Sequence, residues 1–356
     1  MMGASSTLPI AVTMGDPAGI GPEIILKSFA LNPSDMQGCC VVGNLSEMRR
    51  QLALLQNTGL AGWACEPVTN TNAALSMPPK RIPVLDATPD ATIEIGHVSA
   101  AAGRMAADAV TWAARAALRN EVAAVVTAPL HKKALSLAGV AFPGHTEMLQ
   151  ALAAEHMGVD ISTLPVRMML SSPGLRTVLV SIHVSLRQAI EAVTLDNVLE
   201  TLSVIQRSWL SMYGRPALIW VAALNPHAGE QGLFGLEEEA IIAPAIARAC
   251  ALGLNVQGPF PPDTVFMQAL RAKGDDKPDV VVAMYHDQGL IPVKLLGLEH
   301  GVNQTLGLPF IRTSPDHGTA FDIAGRGQAD HSSLLAAVAA ARIHVEETLK
   351  FKSLNS

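Results

Sequence analysis

Short apolar segments alternate with longer helical segments along the first part of the chain. The apolar segments, typical of buried strands, occur at residues 8–14, 39–42, 82–85 and 122–126. Between them, helical patterns begin near residue 22 and cover residues 45–55 and 97–118. Alternation of this kind is characteristic of parallel strands joined by crossover helices. The pattern therefore predicts an α/β fold.

Three later apolar segments are each followed by a histidine in a polar turn. The segments are 176–182, 218–224 and 279–284, and the histidines are His183, His227 and His286. Catalytic groups of α/β proteins collect at strand ends. The histidines are 44 and 59 residues apart, too far for a zinc finger but suited to a catalytic metal with three protein ligands and an open position. Any one of them alone is explained equally well as a residue that closes a turn.

Two stretches rich in glycine and proline suggest where the chain passes between domains. The first lies near residue 128, and the second spans residues 301–318. We therefore predict a first α/β domain made of residues 1–128 and 305–356, and a second made of residues 129–304. A helix at 332–350 is expected to return to the first domain, because its apolar residues share one face.

Composition and charge exclude several classes of protein. With 356 residues, 49% hydrophobic and 16% charged, the chain can bury large cores and is not disordered. A net charge of −6 and a pI near 6.0 give no basic surface for nucleic acid. No 18-residue apolar run or signal peptide is evident, and the four cysteines form no Cys-x-x-Cys pair. We expect a cytoplasmic protein with neither nucleic-acid nor membrane partners.

Several loops carry residues that suit an anionic ligand. The glycine-rich segment 14–23 opens a helix whose N-terminus could face an anion, although it is neither a dinucleotide fingerprint nor a Walker loop, and a tight turn also explains it. His145 and Thr146 begin another helix, where a Thr cap and a solvent-facing His are the simpler explanation. Lys294, Asn303 and Arg312 interrupt apolar runs; a buried cation is costly unless it meets an anion, and surface ion pairs are the alternative.

Six blocks taken in order resemble one enzyme family. They occupy residues 14–23, 144–147, 225–230, 262–266, 285–289 and 301–314. Together they resemble the 4-hydroxythreonine-4-phosphate dehydrogenase family, PdxA, and the resemblance extends from about residue 8 to residue 345. Long blocks in a fixed order are much more specific than a short motif.

The resemblance implies an architecture and a set of site residues. The fold would be a two-domain α/β subunit like that of the isocitrate and isopropylmalate dehydrogenases, with the active site in the interdomain cleft at the interface of a homodimer. His183, His227 and His286 would bind one divalent metal, with one histidine supplied by the partner subunit. The resemblance further implies five substrate contacts, at His145, Thr146, Lys294, Asn303 and Arg312. Asp263, in the block 262–266, is the candidate catalytic residue.

A further block indicates the cofactor. Residues 316–327 look like the nucleotide loop of the isocitrate and isopropylmalate dehydrogenases, which implies NAD or NADP bound without a Rossmann fingerprint. The candidate cofactor contacts are Asp316, Gly318, Asp322 and Gly325. The metal is zinc, magnesium, manganese or cobalt, because imidazole ligands select poorly among them.

Departures from the vitamin B6 enzymes concern the substrate. The chain reads His-Val-Ser-Leu at 183–186, where those enzymes tend to have His-Leu-Pro-Leu, and it also differs at 290–297 and 319–323. These segments are more similar to the branch that oxidises 4-phospho-D-threonate or 4-phospho-D-erythronate. Terephthalate dihydrodiol dehydrogenase is a less favoured relative, because the chain keeps Gly-His-Thr-Glu at 144–147 and the block containing Asn303 and Arg312.

The expected reaction is a metal-dependent oxidation of a 4-phosphorylated 3-hydroxy acid, followed by decarboxylation of the β-keto acid. Bound metal would lower the pKa of the alcohol and stabilise the enolate. Three histidines alone would equally serve a metal-dependent hydrolase or aldolase acting on a phosphorylated small molecule. A two-domain binding protein is a non-catalytic alternative, disfavoured by the histidines at strand ends and the missing signal peptide.

Overall fold

The computed structural model describes residues 8–354 and forms two compact units, each with its own set of sheet strands. The first unit comprises the chain up to Leu164 together with Leu308–Val345, and the second comprises Pro165–Gly307 and the chain from Glu346. Mixed strands and helices in both units confirm the predicted α/β class. None of the helices in this part of the chain has an apolar stretch long enough to cross a bilayer.

Within residues 8–354, twelve strands form the sheet parts of the two units. In chain order they are β1 (Ile10–Thr13), β2 (Cys39–Gly43), β3 (Ala64–Val68), β4 (Arg81–Asp86), β5 (Ala124–Thr127), β6 (Arg167–Ser172), β7 (Leu175–Leu179), β8 (Leu218–Ala222), β9 (Asn255–Phe260), β10 (Val280–Ala283), β11 (Val302–Leu306) and β12 (Ile311–Pro315).

The same described part of the chain has eleven α-helices, which lie between and after the strands. They are α1 (Gly21–Leu31), α2 (Leu45–Leu54), α3 (Ala100–Leu118), α4 (Lys132–Leu137), α5 (His145–Met157), α6 (Leu186–Glu191), α7 (Leu195–Tyr213), α8 (Ala243–Ala251), α9 (Val265–Arg271), α10 (His286–Lys294) and α11 (Ser332–Leu354).

All six strands of the first unit run parallel, in the order β3, β4, β2, β1, β5, β12. The alanine face of α3 packs on β1, β2 and β5, since small side chains let the helix approach the sheet closely. The other side of α3 contacts α4 and α5. At Gly103 a Cβ would overlap the carbonyl of Ala134 in α4, so this close approach requires glycine.

This packing extends the first unit beyond the predicted domain boundary. We predicted that the first domain would end at residue 128, but the first unit continues to Leu164, because Leu135, Met148 and Leu149 complete a core cluster with α3. The second crossing lies at Gly307, close to the predicted residue 304. The last helix belongs to the first unit up to Val345 and to the second from Glu346, where Phe351 packs against Gly214.

The second unit has a mixed sheet in the order β11, β6, β7, β10, β8, β9. Strand β6 is antiparallel to both neighbours, whereas β7, β10, β8 and β9 run parallel. Alternate strand residues enter two cores, one shared with α7 and α8 and the other with α9 and α10. Because β7, β10 and β8 are adjacent and parallel, their carboxyl ends lie at one edge of the sheet.

Candidate active-site residues

The three predicted metal ligands follow the adjacent strands β7, β10 and β8. His183 lies just beyond β7, His286 begins α10 directly after β10, and His227 lies in the turn after β8. Two side chains connect these strand ends. The Ser181 hydroxyl donates to the Met284 carbonyl at 3.0 Å; Gln288 accepts from the Met284 N–H and donates to the Ala223 carbonyl, both at 2.7 Å. The edge that carries the histidines is therefore fixed by hydrogen bonds.

His183 and His286 lie side by side. Their ring centroids are 5.8 Å apart, with the ring planes inclined at 45°. The Nδ1 atom of His286 is 2.7 Å from the Asp287 carboxylate. A carboxylate that accepts from Nδ1–H leaves the lone pair on Nε2, which is the arrangement of a metal-binding histidine and its supporting carboxylate. Two imidazoles so placed fit a divalent transition metal or zinc.

His227 is exposed, and its ring contacts Phe234 at a centroid distance of 6.0 Å. Within residues 8–354 of a single chain, no three His, Cys, Asp or Glu side chains are grouped as metal ligands. The structure thus brings two of the three predicted ligands together and does not bring the third to them.

Arg312 and His145 both lie in the first unit, and the charge of the arginine acts on the imidazole. Arg312, in β12, is 4% exposed, and its Nε and Nη2 donate to the Thr127 hydroxyl at 3.2 and 2.7 Å. Burial lowers the pKa of Arg312 to about 10, which leaves the guanidinium charged at neutral pH. Burial, and then the charge of Arg312, hold the pKa of His145 well below its usual range. A neutral imidazole therefore lies beside a buried cation.

Part of this arrangement escaped the sequence analysis. The Nε2 atom of His145 is buried and has no hydrogen-bond partner among the described residues. Thr127, which orients Arg312, was not predicted as a site residue; its only signal was its position as the polar last residue of β5.

The remaining predicted substrate residues differ in their surroundings. Thr146 is half-buried in the first turn of α5. Asn303, in β11, has a buried side-chain oxygen without a hydrogen-bond partner in the described residues. Lys294 is exposed at the end of α10, so the argument from a costly buried cation holds for Arg312 but not for Lys294. Asp263 is also exposed, in the turn between β9 and α9.

The four predicted cofactor residues lie in the long segment between β12 and α11, and this segment packs on the glycine-rich loop after β1. They are Asp316, Gly318, Asp322 and Gly325. The N–H of Ile20 donates to the Thr319 carbonyl at 3.0 Å, and a Cβ at Gly19 would lie 2.8 Å from that oxygen. Phe321 stacks on His131 with centroids 5.0 Å apart. The two loops that the sequence predicted separately therefore lie against each other.

Helix α1 holds the same segment through a buried ion pair. Glu23 accepts from the N–H groups of Gly327 and Ala329 at 3.2 and 2.8 Å. Lys27 donates to the carbonyls of the same two residues at 2.7 Å, and lies 3.1 Å from Glu23. The backbone N–H and carbonyl groups of Gly327 and Ala329 are thereby all hydrogen-bonded to the Glu23–Lys27 pair.

The family model described as pyridoxal phosphate biosynthetic protein PdxA matches residues 35–341, most of the chain. The chain belongs to this family. The matched range includes all the PdxA blocks quoted above except 14–23, and the resemblance inferred from those blocks is confirmed.

Relatives within the PdxA family carry two names. A 4-hydroxythreonine-4-phosphate dehydrogenase of Beijerinckia indica subsp. indica is 49% identical over 92% of each chain. A D-threonate 4-phosphate dehydrogenase of Salmonella typhimurium is 45% identical over 93% of this chain and 97% of the relative. The crystal structure of a 4-hydroxythreonine-4-phosphate dehydrogenase from Klebsiella pneumoniae superposes with a TM-score of 0.84 at 43% identity, covering 95% of this chain and 100% of that one. Membership therefore places the chain among dehydrogenases.

Proposed function

We propose that the chain is a metal-dependent, NAD(P)-linked dehydrogenase that oxidises a 4-phosphorylated 3-hydroxy acid and then decarboxylates the β-keto acid. The observation that carries the proposal is the histidine pair, His183 and His286, on a hydrogen-bonded sheet edge in a member of a dehydrogenase family. The candidate substrates are 4-phosphohydroxy-L-threonine, 4-phospho-D-threonate and 4-phospho-D-erythronate.

The proposed metal ligands are His183, His227 and His286. A divalent metal held by such donors supplies Lewis-acid polarisation of an oxygen on the reacting carbon. Asp287 keeps His286 in the tautomer that presents Nε2. Ser181 and Gln288 keep the strand ends at a fixed separation, so the ligands need little rearrangement on binding.

The proposed phosphate contacts centre on Arg312. Its guanidinium, oriented by Thr127, supplies a buried positive charge, and charge-assisted bonds to phosphate strengthen where water is excluded. His145, whose pKa is lowered by burial and by the charge of Arg312, offers its buried Nε2 as a second polar group. Thr146, Lys294 and Asn303 complete the proposed substrate set, and Asp263 remains the candidate catalytic residue.

The proposed cofactor contacts are Asp316, Gly318, Asp322 and Gly325. This proposal is supported by the hydrogen bonds that attach the segment to α1 and to the loop after β1. A loop that is already fixed loses little conformational entropy when it binds a nucleotide. NAD and NADP are both compatible with these residues.

Exposed apolar side chains around the histidines support a homodimer. Three such side chains follow each histidine in the sequence. They are Val184, Leu186 and Ile190 after His183, Leu233, Phe234 and Leu236 after His227, and Ile291, Leu295 and Leu296 after His286. Large exposed apolar groups beside functional residues are typical of interfaces. We propose that a second copy covers them and supplies the ligand that completes the histidine pair.

The test is a substrate panel. The purified protein, loaded with a divalent metal, is given each of the three phosphorylated acids with NAD or NADP, and NAD(P)H absorbance and released carbon dioxide are followed. We expect NAD(P)H with at least one substrate, and much slower formation with its dephosphorylated form. Turnover of a phosphorylated compound without NAD(P)H would instead support a hydrolase or aldolase.

A further inference from the structure

The turn that carries His227 has a left-handed backbone. His227, Ala228, Glu230 and Gln231 have φ angles of 52°, 56°, 43° and 58°, and the intervening and following glycines are also positive, so residues 227–232 are left-handed without interruption. Residues with a Cβ rarely adopt this conformation, because the Cβ approaches the following carbonyl oxygen. A run of this kind persists only where the surroundings impose it.

Glu238 provides such surroundings. This carboxylate is 3% exposed, and one oxygen accepts from the backbone N–H groups of Leu224 and Asn225, both at 2.8 Å. The other oxygen accepts from the Asn225 side-chain amide at 3.0 Å. Glu238 begins a π-helical turn that continues directly into α8, so its own backbone is anchored in regular structure.

The left-handed turn closes around this carboxylate. A Cβ at Gly229 would lie 2.7 Å from the second oxygen of Glu238, and a Cβ at Gly235 would overlap the Asn225 amide. Glycine at these positions lets the chain pass close to the Glu238 carboxylate at residue 229 and close to the Asn225 amide at residue 235. The direction in which the chain leaves β8, and with it the position of residue 227, is therefore set by Glu238.

We infer that Glu238 is a positioning residue for the metal ligand His227. It acts on the metal through the backbone of residues 224–229 and does not touch the metal itself. The inference rests on the proposed role of His227 as a ligand. Replacing a residue that orients a metal ligand without touching the metal typically lowers metal affinity about 10- to 100-fold.

The experiment compares Glu238→Gln with Glu239→Gln, the same chemical change at the exposed neighbouring residue. In glutamine an amide nitrogen replaces one acceptor oxygen and opposes an N–H donor, whereas the size is unchanged. Each metal-free dimer is titrated with Co²⁺ alone in competition with a chelating dye, and its melting temperature is recorded. We expect Co²⁺ binding to weaken about 10- to 100-fold in Glu238→Gln and to stay as in the wild type in Glu239→Gln. Because the loss lies in affinity, saturating metal should restore the kcat of Glu238→Gln.

Unchanged Co²⁺ affinity in folded Glu238→Gln would overturn the inference, and so would a kcat that saturating metal does not restore. If Glu238→Gln fails to fold, Asn225→Ala removes one of the three hydrogen bonds to Glu238, together with the amide's bond to Glu237, and leaves both backbone bonds to Glu238 in place. A several-fold loss of Co²⁺ affinity is then expected, and no loss contradicts the inference. A wild-type protein that binds no Co²⁺ would refute the proposed metal site itself. Unchanged Co²⁺ affinity in Glu238→Gln, with a wild-type protein that does bind Co²⁺, would refute only the role of Glu238, so the two failures can be distinguished.

Discussion

Arg312, Thr127 and His145 show how buried surroundings give ordinary side chains a particular chemistry. The cation was predictable from the sequence, because an arginine in an apolar run is costly without an anionic partner. Its orienting hydroxyl was not predictable, since Thr127 lies 185 residues away along the chain and only the pairing of β5 with β12 brings it near. Lys294 looked equivalent in the sequence, and its exposure became visible only in the fold.

Replacing Arg312 by Met should remove the principal phosphate contact. Loss of a buried charge-assisted contact costs roughly 2–4 kcal/mol, or about 30- to 1000-fold in kcat/KM. The measurement is kcat/KM with phosphorylated and dephosphorylated substrate, and Arg115→Met on the exposed side of α3 is the matched control. An equal loss on both substrates in Arg312→Met would show that this arginine does not bind the phosphate.

Asp16 should make the protein's stability depend on pH. Burial raises the pKa of this carboxyl from 3.8 to about 6, against the smaller opposing effects of the Ala18 N–H and His131. The folded state therefore binds the proton more tightly than the unfolded state, so this contribution to stability is full below pH 4 and is lost as the pH rises towards 6. The change amounts to at most about 3 kcal/mol.

The check is denaturant unfolding of the wild type and Asp16→Asn between pH 4 and pH 7. Asparagine keeps the oxygen that accepts from Ala18 and removes the titration. The free energy of unfolding of the variant relative to the wild type should rise across this range. Parallel curves would show that Asp16 does not titrate there.

Among the elements, α1 has a function beyond packing. The Glu23 and Lys27 pair is buried, with side-chain exposures of 1% and 10%, and it bonds the segment before α11. A buried pair is weak evidence for stability, but breaking it leaves one charge without compensation. We therefore assign the Glu23–Lys27 pair the role of fixing the position of the proposed cofactor segment.

Lys27→Met should destabilise the protein by roughly 3–5 kcal/mol, because Glu23 stays buried without its partner. The exposed pair Arg119 and Glu121 provides the control, and Arg119→Met should cost about 1 kcal/mol or less. Both values come from denaturant unfolding. A Lys27→Met protein as stable as the control variant would mean that the pair does not hold the segment.

Seven of the twelve strands and five of the eleven α-helices of the described residues were predictable from the sequence pattern, and the predicted strand ends place the three histidines after adjacent strands of one sheet. The segment 97–118, for instance, became α3 because its small apolar residues recur at helical spacing. Sequence order could not predict that β10 lies between β7 and β8, because that depends on long-range packing. The first unit extends beyond the predicted boundary at residue 128 for the same reason, since α4 and α5 pack on α3.

At the scale of the whole molecule, the proposed metal site requires two copies of the chain. His183 and His286 share one chain in the structure, so we expect the partner subunit to supply His227. Mixed dimers of His183→Ala and His227→Ala should then contain one intact site and regain activity. Mixed dimers of His183→Ala and His286→Ala contain none and serve as the matched control.

If activity returns in the mixture of His183→Ala and His286→Ala but not in the mixture of His183→Ala and His227→Ala, then His183 and His286 of one site come from different chains. Recovery in neither mixture, with heterodimers demonstrated, would place all three ligands on one chain.

The central claim is that a phosphorylated hydroxy acid is oxidised at a metal held by these histidines. The most direct measurement is NAD(P)H formation by the chelated wild-type protein as a divalent metal is added back, with bound metal counted per chain. We predict no NAD(P)H before addition, and activity that rises in proportion to bound metal up to one ion per site. Full NAD(P)H formation in the exhaustively chelated protein would contradict the account.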